Sequence, residues 1–185
     1  DGGIQSNATW DGGHSAGLTL SGMGLTVGLY GAERESASQA TGSTMTSDTF
    51  EGVYYVNYSM GPVSVGYSKS YYDIGTNATN TAITDKKYVS TASGIFEAET
   101  MSIAFNVNDN ISVSYASAED TYDDQSNTKG GTEVADVSMD MKSIQAAYSM
   151  GAMSIKAYRT ETDNAAYSTT GGSLTVNEVA LGLSF

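Results

Sequence analysis

The connections between the apolar segments of this chain are alternately very short and long, and this alternation constrains the fold more than any other feature. Short connections lie at 22–24, 61–62, 108–110 and 151–152. Long connections, rich in polar residues, lie at 35–48, 74–92, 119–135 and 163–172. Between them, apolar residues alternate with small or polar ones over about 8 to 12 positions, which is the period of a β-strand. The pattern predicts an all-β chain whose antiparallel strands run up and down in sequence order.

We predict nine strands, and the runs of alternation of about 8 to 12 residues within them are close to the ~9–11 residues that a tilted strand needs to cross a bilayer. They are 14–21, 24–35, 49–60, 62–73, 94–107, 111–119, 137–150, 152–163 and 174–185. Single-chain β-barrels of bacterial outer membranes have an even number of strands. Residues 1–185 are therefore interpreted as a single β-barrel domain that lacks N-terminal strands. A further strand between Gly3 and Trp10 would instead give a total of ten.

The last predicted strand has one apolar side. Val179, Leu181, Leu183 and Phe185 share one face of it, and Glu178 lies on the other. A soluble sandwich covers such a face with a second layer, whereas a transmembrane barrel turns it to lipid and keeps a polar lumen. One strand does not separate these two structures. The Greek-key connections of a sandwich would, however, mix short and long connections at both ends, so the whole pattern favours a transmembrane β-barrel.

Composition excludes several other classes of protein. The 185 residues include 21 Gly and 13 Tyr, and the formal net charge is -13 with only eight Lys and Arg. A nucleic-acid-binding surface needs clustered basic residues, so nucleic acid is not an expected partner. No apolar run approaches the roughly 20 residues of a transmembrane helix. The absence of cysteine excludes disulfides and thiolate metal sites.

The chain resembles the general porins of Gram-negative bacteria, particularly the α-proteobacterial type. The resemblance lies in the hairpins from Tyr54 to Tyr67 and from Ala147 to Tyr158, and in the ending from Val179 to Phe185. It implies the C-terminal nine strands of a sixteen-stranded homotrimeric channel for passive diffusion of small hydrophilic solutes and ions. It also implies a place in the bacterial outer membrane, contact with its lipid and lipopolysaccharide, and no cofactor. Val179, Leu181, Leu183 and Phe185 resemble the signal that the barrel-assembly machinery recognises.

Six side chains are predicted to line the pore, because strand parity places them opposite the apolar face. They are Arg34, Lys156, Tyr30, Glu51, Glu178 and Tyr158. Charged side chains in a pore wall set its selectivity. The alternative for each is a solvated wall residue without a role. Three further cations, Lys69, Lys142 and Arg159, have the outward parity and are expected to extend toward the headgroup region.

Outward-facing tyrosines are predicted to form aromatic girdles at the membrane interfaces. These tyrosines are Tyr54, Tyr58, Tyr67, Tyr71, Tyr115 and Tyr148. The alternative is that tyrosine occurs there only because it is a good strand former.

Other functions have weaker support in the sequence. The acidic stretch from Glu119 to Asp124 offers oxygen ligands for a divalent cation, but a solvated acidic loop is the favoured interpretation and no metal is assigned. His14 is the single histidine and has no evident catalytic partner, so we expect no enzyme activity. The alternative functions are a small outer-membrane barrel of eight to ten strands that acts as an anchor or adhesin, and a secreted acidic β-sandwich. Small inward residues such as Gly28 and Ala104 favour a wide barrel.

Overall fold

The computed structural model describes residues 10–36, 45–46, 49–73, 76–77, 95–123, 135–170 and 172–184. The strands are β1 (Trp10–Gly22), β2 (Leu25–Ser36), β3 (Met45–Thr46), β4 (Thr49–Met60), β5 (Val63–Asp73), β6 (Thr76–Asn77), β7 (Ile95–Asn106), β8 (Ile111–Asp123), β9 (Val137–Met150), β10 (Met153–Asp163) and β11 (Leu174–Leu183). A short 3-10 turn, Ala165–Tyr167, lies between β10 and β11. Within the described ranges, no helix is long and apolar enough to span a membrane.

Nine of the strands form one sheet in the order β1-β2-β4-β5-β7-β8-β9-β10-β11, and β3 pairs separately with β6. Every neighbouring pair in the large sheet is antiparallel. The predicted all-β, antiparallel, up-and-down arrangement of nine strands is therefore confirmed. Strand direction alternates across the sheet. The first and ninth strands in this order, β1 and β11, therefore run in the same direction. They are not paired with each other in the described part of the chain.

The register inclines the strands relative to the line of short turns. We followed directly opposite residues from strand to strand in both directions from Val65. In one direction this line of partners reaches Gly22, the last residue of β1, next to a short turn. In the other direction it reaches Arg159, six residues after β10 begins at its short turn. A rise of about 3.3 Å per residue and a strand spacing of about 4.8 Å convert this stagger over seven strand pairs into a tilt of about 30°. Closed barrels have strand tilts of about 35–45°. The stagger is therefore close to that of a barrel wall.

The short connections contain residues suited to tight turns. Gly24 has a φ of +79°, and a Cβ added there would clash with the carbonyl oxygen of Ser59 on the adjacent strand. In the turn between β7 and β8, the side-chain Oδ1 of Asn108 accepts hydrogen bonds from the backbone N–H groups of Asn110 and Ile111, both at 2.9 Å. Glycine and asparagine at these positions fix the register of the flanking strands.

The sheet is a single layer with almost no core. Among the described residues, the buried hydrophobic side chains are Ala32, Phe96 and Tyr122. Large apolar side chains remain exposed along the sheet, as Leu29 and Leu181 illustrate with exposed fractions of 61% and 63%. Soluble antiparallel sheets bury one face against a second layer, and the described residues provide no such layer.

Candidate membrane face and lumenal wall

The pairing register separates the sheet into two continuous faces. Cross-strand partners such as Val65 and Ile103, or Ile103 and Tyr115, are both apolar and lie on one side, which we call the apolar face. Apart from Phe50 and the tyrosines, its exposed large members lie on every strand of the large sheet except β10, whose Met153 and Ile155 are half-buried: Leu18, Leu20, Leu25, Val27, Leu29, Val56, Met60, Val65, Met101, Ile103, Phe105, Val113, Ile144, Met150, Val179, Leu181 and Leu183. The opposite side, the polar face, carries mainly hydroxyl, amide and small residues.

In the half of the sheet that is nearer the long connections, the apolar face also carries charged residues. Lys69 Nζ lies 3.2 Å from Glu97 Oε2, and Arg159 Nε donates a 3.0 Å hydrogen bond to Glu161 Oε1. Lys142 lies opposite Glu161 in the register. The three cations predicted to face outward thus lie on the apolar face, in the halves of their strands that are nearer the long connections. Two of them are paired with carboxylates there, which lowers the cost of placing a cation beside apolar surface.

All six tyrosines predicted for the girdles also lie on the apolar face. The rings of Phe50 and Tyr71 lie near the long connections with their centroids 5.9 Å apart, and those of Tyr54 and Tyr67 lie near the middle of β4 and β5 with their centroids 6.1 Å apart. Tyr58 and Tyr148 each lie two residues from the end of their strands, near the short turns. Tyr115, the sixth, lies directly opposite Ile103 and Ile144 in the middle of the sheet. The rings therefore lie at several different distances from the ends of the strands. Their role in girdles stays a prediction.

Hydroxyl groups on the polar face are linked across adjacent strands. The pairs are Ser21 with Thr26 at 3.1 Å, Ser59 with Ser64 at 2.9 Å, and Thr160 with Ser143 at 3.0 Å. Each pair joins directly opposite residues in the register. These bonds satisfy part of the polar wall within the sheet while leaving hydroxyl oxygens able to bind water.

Three of the predicted pore-lining residues come together at β10 and β11. The hydroxyl of Tyr158 donates a hydrogen bond of 2.6 Å to Glu178 Oε2. With Lys156 and Gln145 they line an open recess of about 360 Å³ on the polar face. Small side chains such as Ala180 also line it. The recess offers a cation, a carboxylate and an amide to a polar solute.

The other three predicted pore-lining residues belong to β2 and β4. Tyr30 and Glu51 line a second recess of about 330 Å³ with Tyr72. Arg34 lies opposite Thr49 in the register, and its side chain lies outside the described residues. The six residues are therefore divided between two sectors near opposite edges of the sheet, and the described structure does not bring them into one cluster.

Two tyrosine rings lie close to glycines on the polar face. A Cβ added at Gly28 would clash with the ring of Tyr55, and a Cβ added at Gly17 would lie 3.3 Å from Cδ2 of Tyr30. The hydroxyl of Tyr55 reaches to 3.5 Å from Thr19 Oγ1, two strands away. The sequence predicted Gly28 to be a small inward residue, but the ring that covers it was not predicted, because a ring's direction is not encoded in strand parity.

A covered aromatic cluster on the polar face was also missed by the sequence analysis. The rings of Phe96 and Tyr122 are 4.7 Å apart, and Tyr167 lies 5.5 Å and 5.9 Å from them. The hydroxyl of Tyr167 donates a hydrogen bond to Asp120, and burial, followed by this carboxylate, raises the pKa of Tyr167. Burial also raises the pKa of Asp120, which lies three residues from the end of β8, near the long connections. The sequence signal that could have predicted this cluster is the presence of bulky aromatic residues at the inward positions 96 and 122.

The interpretation of residues 119–124 as a loop was wrong for the part that the structure describes. Residues Glu119 to Asp123 belong to β8, and Asp124 lies outside the described residues. Because side chains of a strand alternate in direction, Glu119 and Asp120 point to opposite faces and cannot surround one cation. In the described ranges, no group of three or more histidine, cysteine, aspartate or glutamate residues is placed to hold a metal.

The remaining predicted residues are located as follows. Val179, Leu181 and Leu183 share the apolar face of β11, opposite Ala157, Ile155 and Met153 of β10. Phe185 lies outside the described residues. His14 belongs to β1, opposite Glu33.

Comparison with known proteins gives no relative for this chain. No protein-family model, curated protein or solved structure matches it. The arguments about function therefore depend on the sheet and its two faces.

Proposed function

We propose that this chain forms the wall of a bacterial outer-membrane porin, a water-filled channel through which small hydrophilic solutes and ions diffuse passively. The observation that supports this most is the pair of opposed faces. One side of a single-layer sheet is apolar across all nine strands, and the other is polar. A transmembrane barrel needs this arrangement, with lipid outside and water inside.

The apolar face argues against the secreted β-sandwich. A second sheet would have to cover side chains such as Leu29 and Leu181, which are more than half exposed. Exposed apolar patches much larger than a few hundred Å² are rare on soluble monomers. Lipid acyl chains, in contrast, leave the face uncovered by protein and still remove it from water.

Strand direction supports a barrel larger than nine strands. Because β1 and β11 run in the same direction, direct closure between them would require a parallel pair. An odd number of additional strands restores antiparallel pairing throughout, and we propose seven, to give the sixteen of the porins that the sequence resembles. The small side chains of the polar face, among them Gly66 and Ala180, leave room for water in a barrel of that size.

In this pore, charged side chains on the polar face would act on passing ions. Lys156, Glu178 and Glu51 are proposed to set the local potential, and Arg34, Tyr30 and Tyr158 to form the adjacent wall. We further propose a homotrimer embedded in outer-membrane lipid and lipopolysaccharide, inserted by the barrel-assembly machinery, which would read the apolar side of β11.

One observation favours the alternative of a small barrel that acts as an anchor or adhesin. Phe96 and Tyr122 are bulky and inward, and Tyr167 covers them. Barrels of about eight strands fill their interior with side chains in this way. The cluster is confined to the ends of β7 and β8 near the long connections, so it would obstruct a wide pore only in part.

A conductance measurement tests the proposal. The natural protein, extracted in detergent from its membrane, is added to a planar lipid bilayer under a salt gradient. We expect stable conductance steps, and sugar-permeable vesicles when the same protein is reconstituted. A protein that inserts into the bilayer without conducting would instead support the small filled barrel, and one that does not insert would contradict both membrane functions.

A further inference from the structure

The connection between β10 and β11 folds back onto the polar face of the sheet. Tyr122 has an exposed fraction of 0% and Phe96 of 9%, although both lie on a face of a single-layer sheet. Such burial requires a cover. Tyr72 of β5 and Tyr167 both pack against this pair. The ring of Tyr167 contacts both residues, and residues 164–168, which we call the inner strap, carry this ring over the ends of β7, β8 and β9.

Polar contacts hold the inner strap in this position. Asn164 Nδ2 donates a hydrogen bond of 3.0 Å to the backbone oxygen of Ser138 in β9. The hydroxyl of Tyr167 donates to the carboxylate of Asp120 in β8. The other oxygen of this carboxylate, Oδ1, is buried without a hydrogen-bond partner. The strap therefore bonds to two different strands besides packing on β7.

The backbone of the strap is strained in a way that these contacts explain. Asn164, Ala166 and Tyr167 have φ values of +51°, +57° and +57°, in the left-handed region that alanine and tyrosine rarely adopt. Such conformations persist only where surrounding contacts determine them. The strain indicates that the docked position depends on the ring and hydrogen-bond contacts rather than on the local preference of the chain.

We propose that the inner strap is a size-selectivity element, which narrows the lumen near the long connections and slows the entry of larger hydrophilic solutes. This inference rests on the proposed pore function and adds a specific element to it. A turn packed on the inside of the wall takes up cross-section that water and solute would otherwise use, and pore diameter is a principal determinant of selectivity.

Removal of the Tyr167 ring tests the strap. Loss of two aromatic contacts is expected to shift the equilibrium between docked and released strap by roughly 5- to 150-fold toward the released form. The full protein is reconstituted into vesicles, and the swelling rates in a monosaccharide and in a trisaccharide are compared. We expect Tyr167→Ala to raise the ratio of the trisaccharide rate to the monosaccharide rate.

Further variants separate the strap from general damage to the barrel. Tyr167→Phe keeps the ring but loses the bond to Asp120, so its ratio should fall between those of wild type and Tyr167→Ala. Asn164→Ala removes the bond to Ser138 and should shift the ratio in the same direction. Thr169→Ala alters an exposed residue just beyond the strap and serves as the matched control, with the wild-type ratio.

The outcomes distinguish the strap from the pore. Swelling by wild type together with an unchanged ratio in both Tyr167→Ala and Asn164→Ala overturns the strap and leaves the pore. Absence of swelling by wild type in any sugar overturns the pore, and the strap's role in selectivity with it.

Discussion

Tyr158 on β10 and Glu178 on β11 are directly opposite in the register and are joined by a hydrogen bond of 2.6 Å on the polar face. The bond fixes a carboxylate on the wall rather than leaving it free to extend into solvent. Lys156, two residues before Tyr158 on the same face, lines the same recess. A fixed anion and a cation thus lie within one sector of the proposed lumen.

Neutralising Glu178 should change the ion preference of the channel. Glu178→Gln removes a wall carboxylate, so the ratio of cation to anion permeability should fall, because a pore-lining charge attracts the opposite ion. The reversal potential in a salt gradient measures this ratio. Tyr158→Phe keeps the charge and should alter the ratio less. Equal ratios in Glu178→Gln and wild type would remove Glu178 from the selectivity wall.

Because the ring of Tyr55 lies beside Gly28, we expect alanine substitutions at two glycines of β2 to change stability by different amounts. Gly28→Ala would force a methyl group into this ring, whereas the nearest atom to a Cβ at Gly31 is 3.9 Å away. The ring must move aside to admit this methyl group, so Gly28→Ala should lower the unfolding midpoint in urea more than Gly31→Ala does, at a cost near the lower end of the about 1–3 kcal/mol of overpacking. The double variant Gly28→Ala with Tyr55→Ala should recover part of the loss. A similar midpoint for the two single variants would show that the ring does not lie against Gly28.

Two neighbouring residues of β11 distinguish lipid from water. Val179, the sixth of the ten residues of β11, lies on the apolar face, and Ala180 lies on the polar face. If Val179 faces acyl chains in the middle of the bilayer, Val179→Arg should destabilise the folded barrel by about 2–4 kcal/mol, and Ala180→Arg should be tolerated. Unfolding from lipid vesicles measures both. In a soluble protein, Val179→Arg at an exposed position would be nearly neutral, and that result would contradict a lipid-facing β11.

Alkaline pH should release the inner strap. Burial and Asp120 raise the pKa of Tyr167 above its ordinary value of 10.0. The docked strap therefore keeps the Tyr167 proton more tightly than the released one, so the contribution to docking is complete below pH 10 and is lost as pH rises through the raised pKa. Hydrogen exchange of residues 164–168 should accelerate above pH 10 beyond the rise that base catalysis gives an unstructured reference peptide. Tyr167→Phe should lack this additional increase, and an identical increase in that variant would assign the effect to another group.

The strand pattern was readable from the sequence because one physical rule, the alternation of side chains, repeats along the whole chain. β4 (Thr49–Met60) and β9 (Val137–Met150) were predicted with the bounds that the structure has. β8 continues to Asp123, four residues beyond its predicted end. Its extra residues are mostly acidic or hydroxylated, and a strand at the water interface needs no apolar alternation to persist.

The candidate site was predictable only in part. Parity assigned Tyr158 and Glu178 to one face but does not determine that they bond. The docked position of Tyr167 depends on contacts with Phe96 and Asp120 from strands far away in the sequence, and its left-handed backbone conformation opposes local preference. The alternation of apolar and polar residues along a strand carries no information about tertiary contacts of this kind.

The most direct test of the account is the environment of alternating positions on one strand. The chain has no cysteine, so single cysteines at Ser64 and Val65 of β5 can each carry a spin label in the reconstituted protein. We predict that the label at position 65 collides mainly with oxygen dissolved in lipid, and that the label at position 64 collides mainly with a water-soluble relaxation agent. Equal access of the water-soluble agent to both positions would contradict a membrane-spanning pore wall.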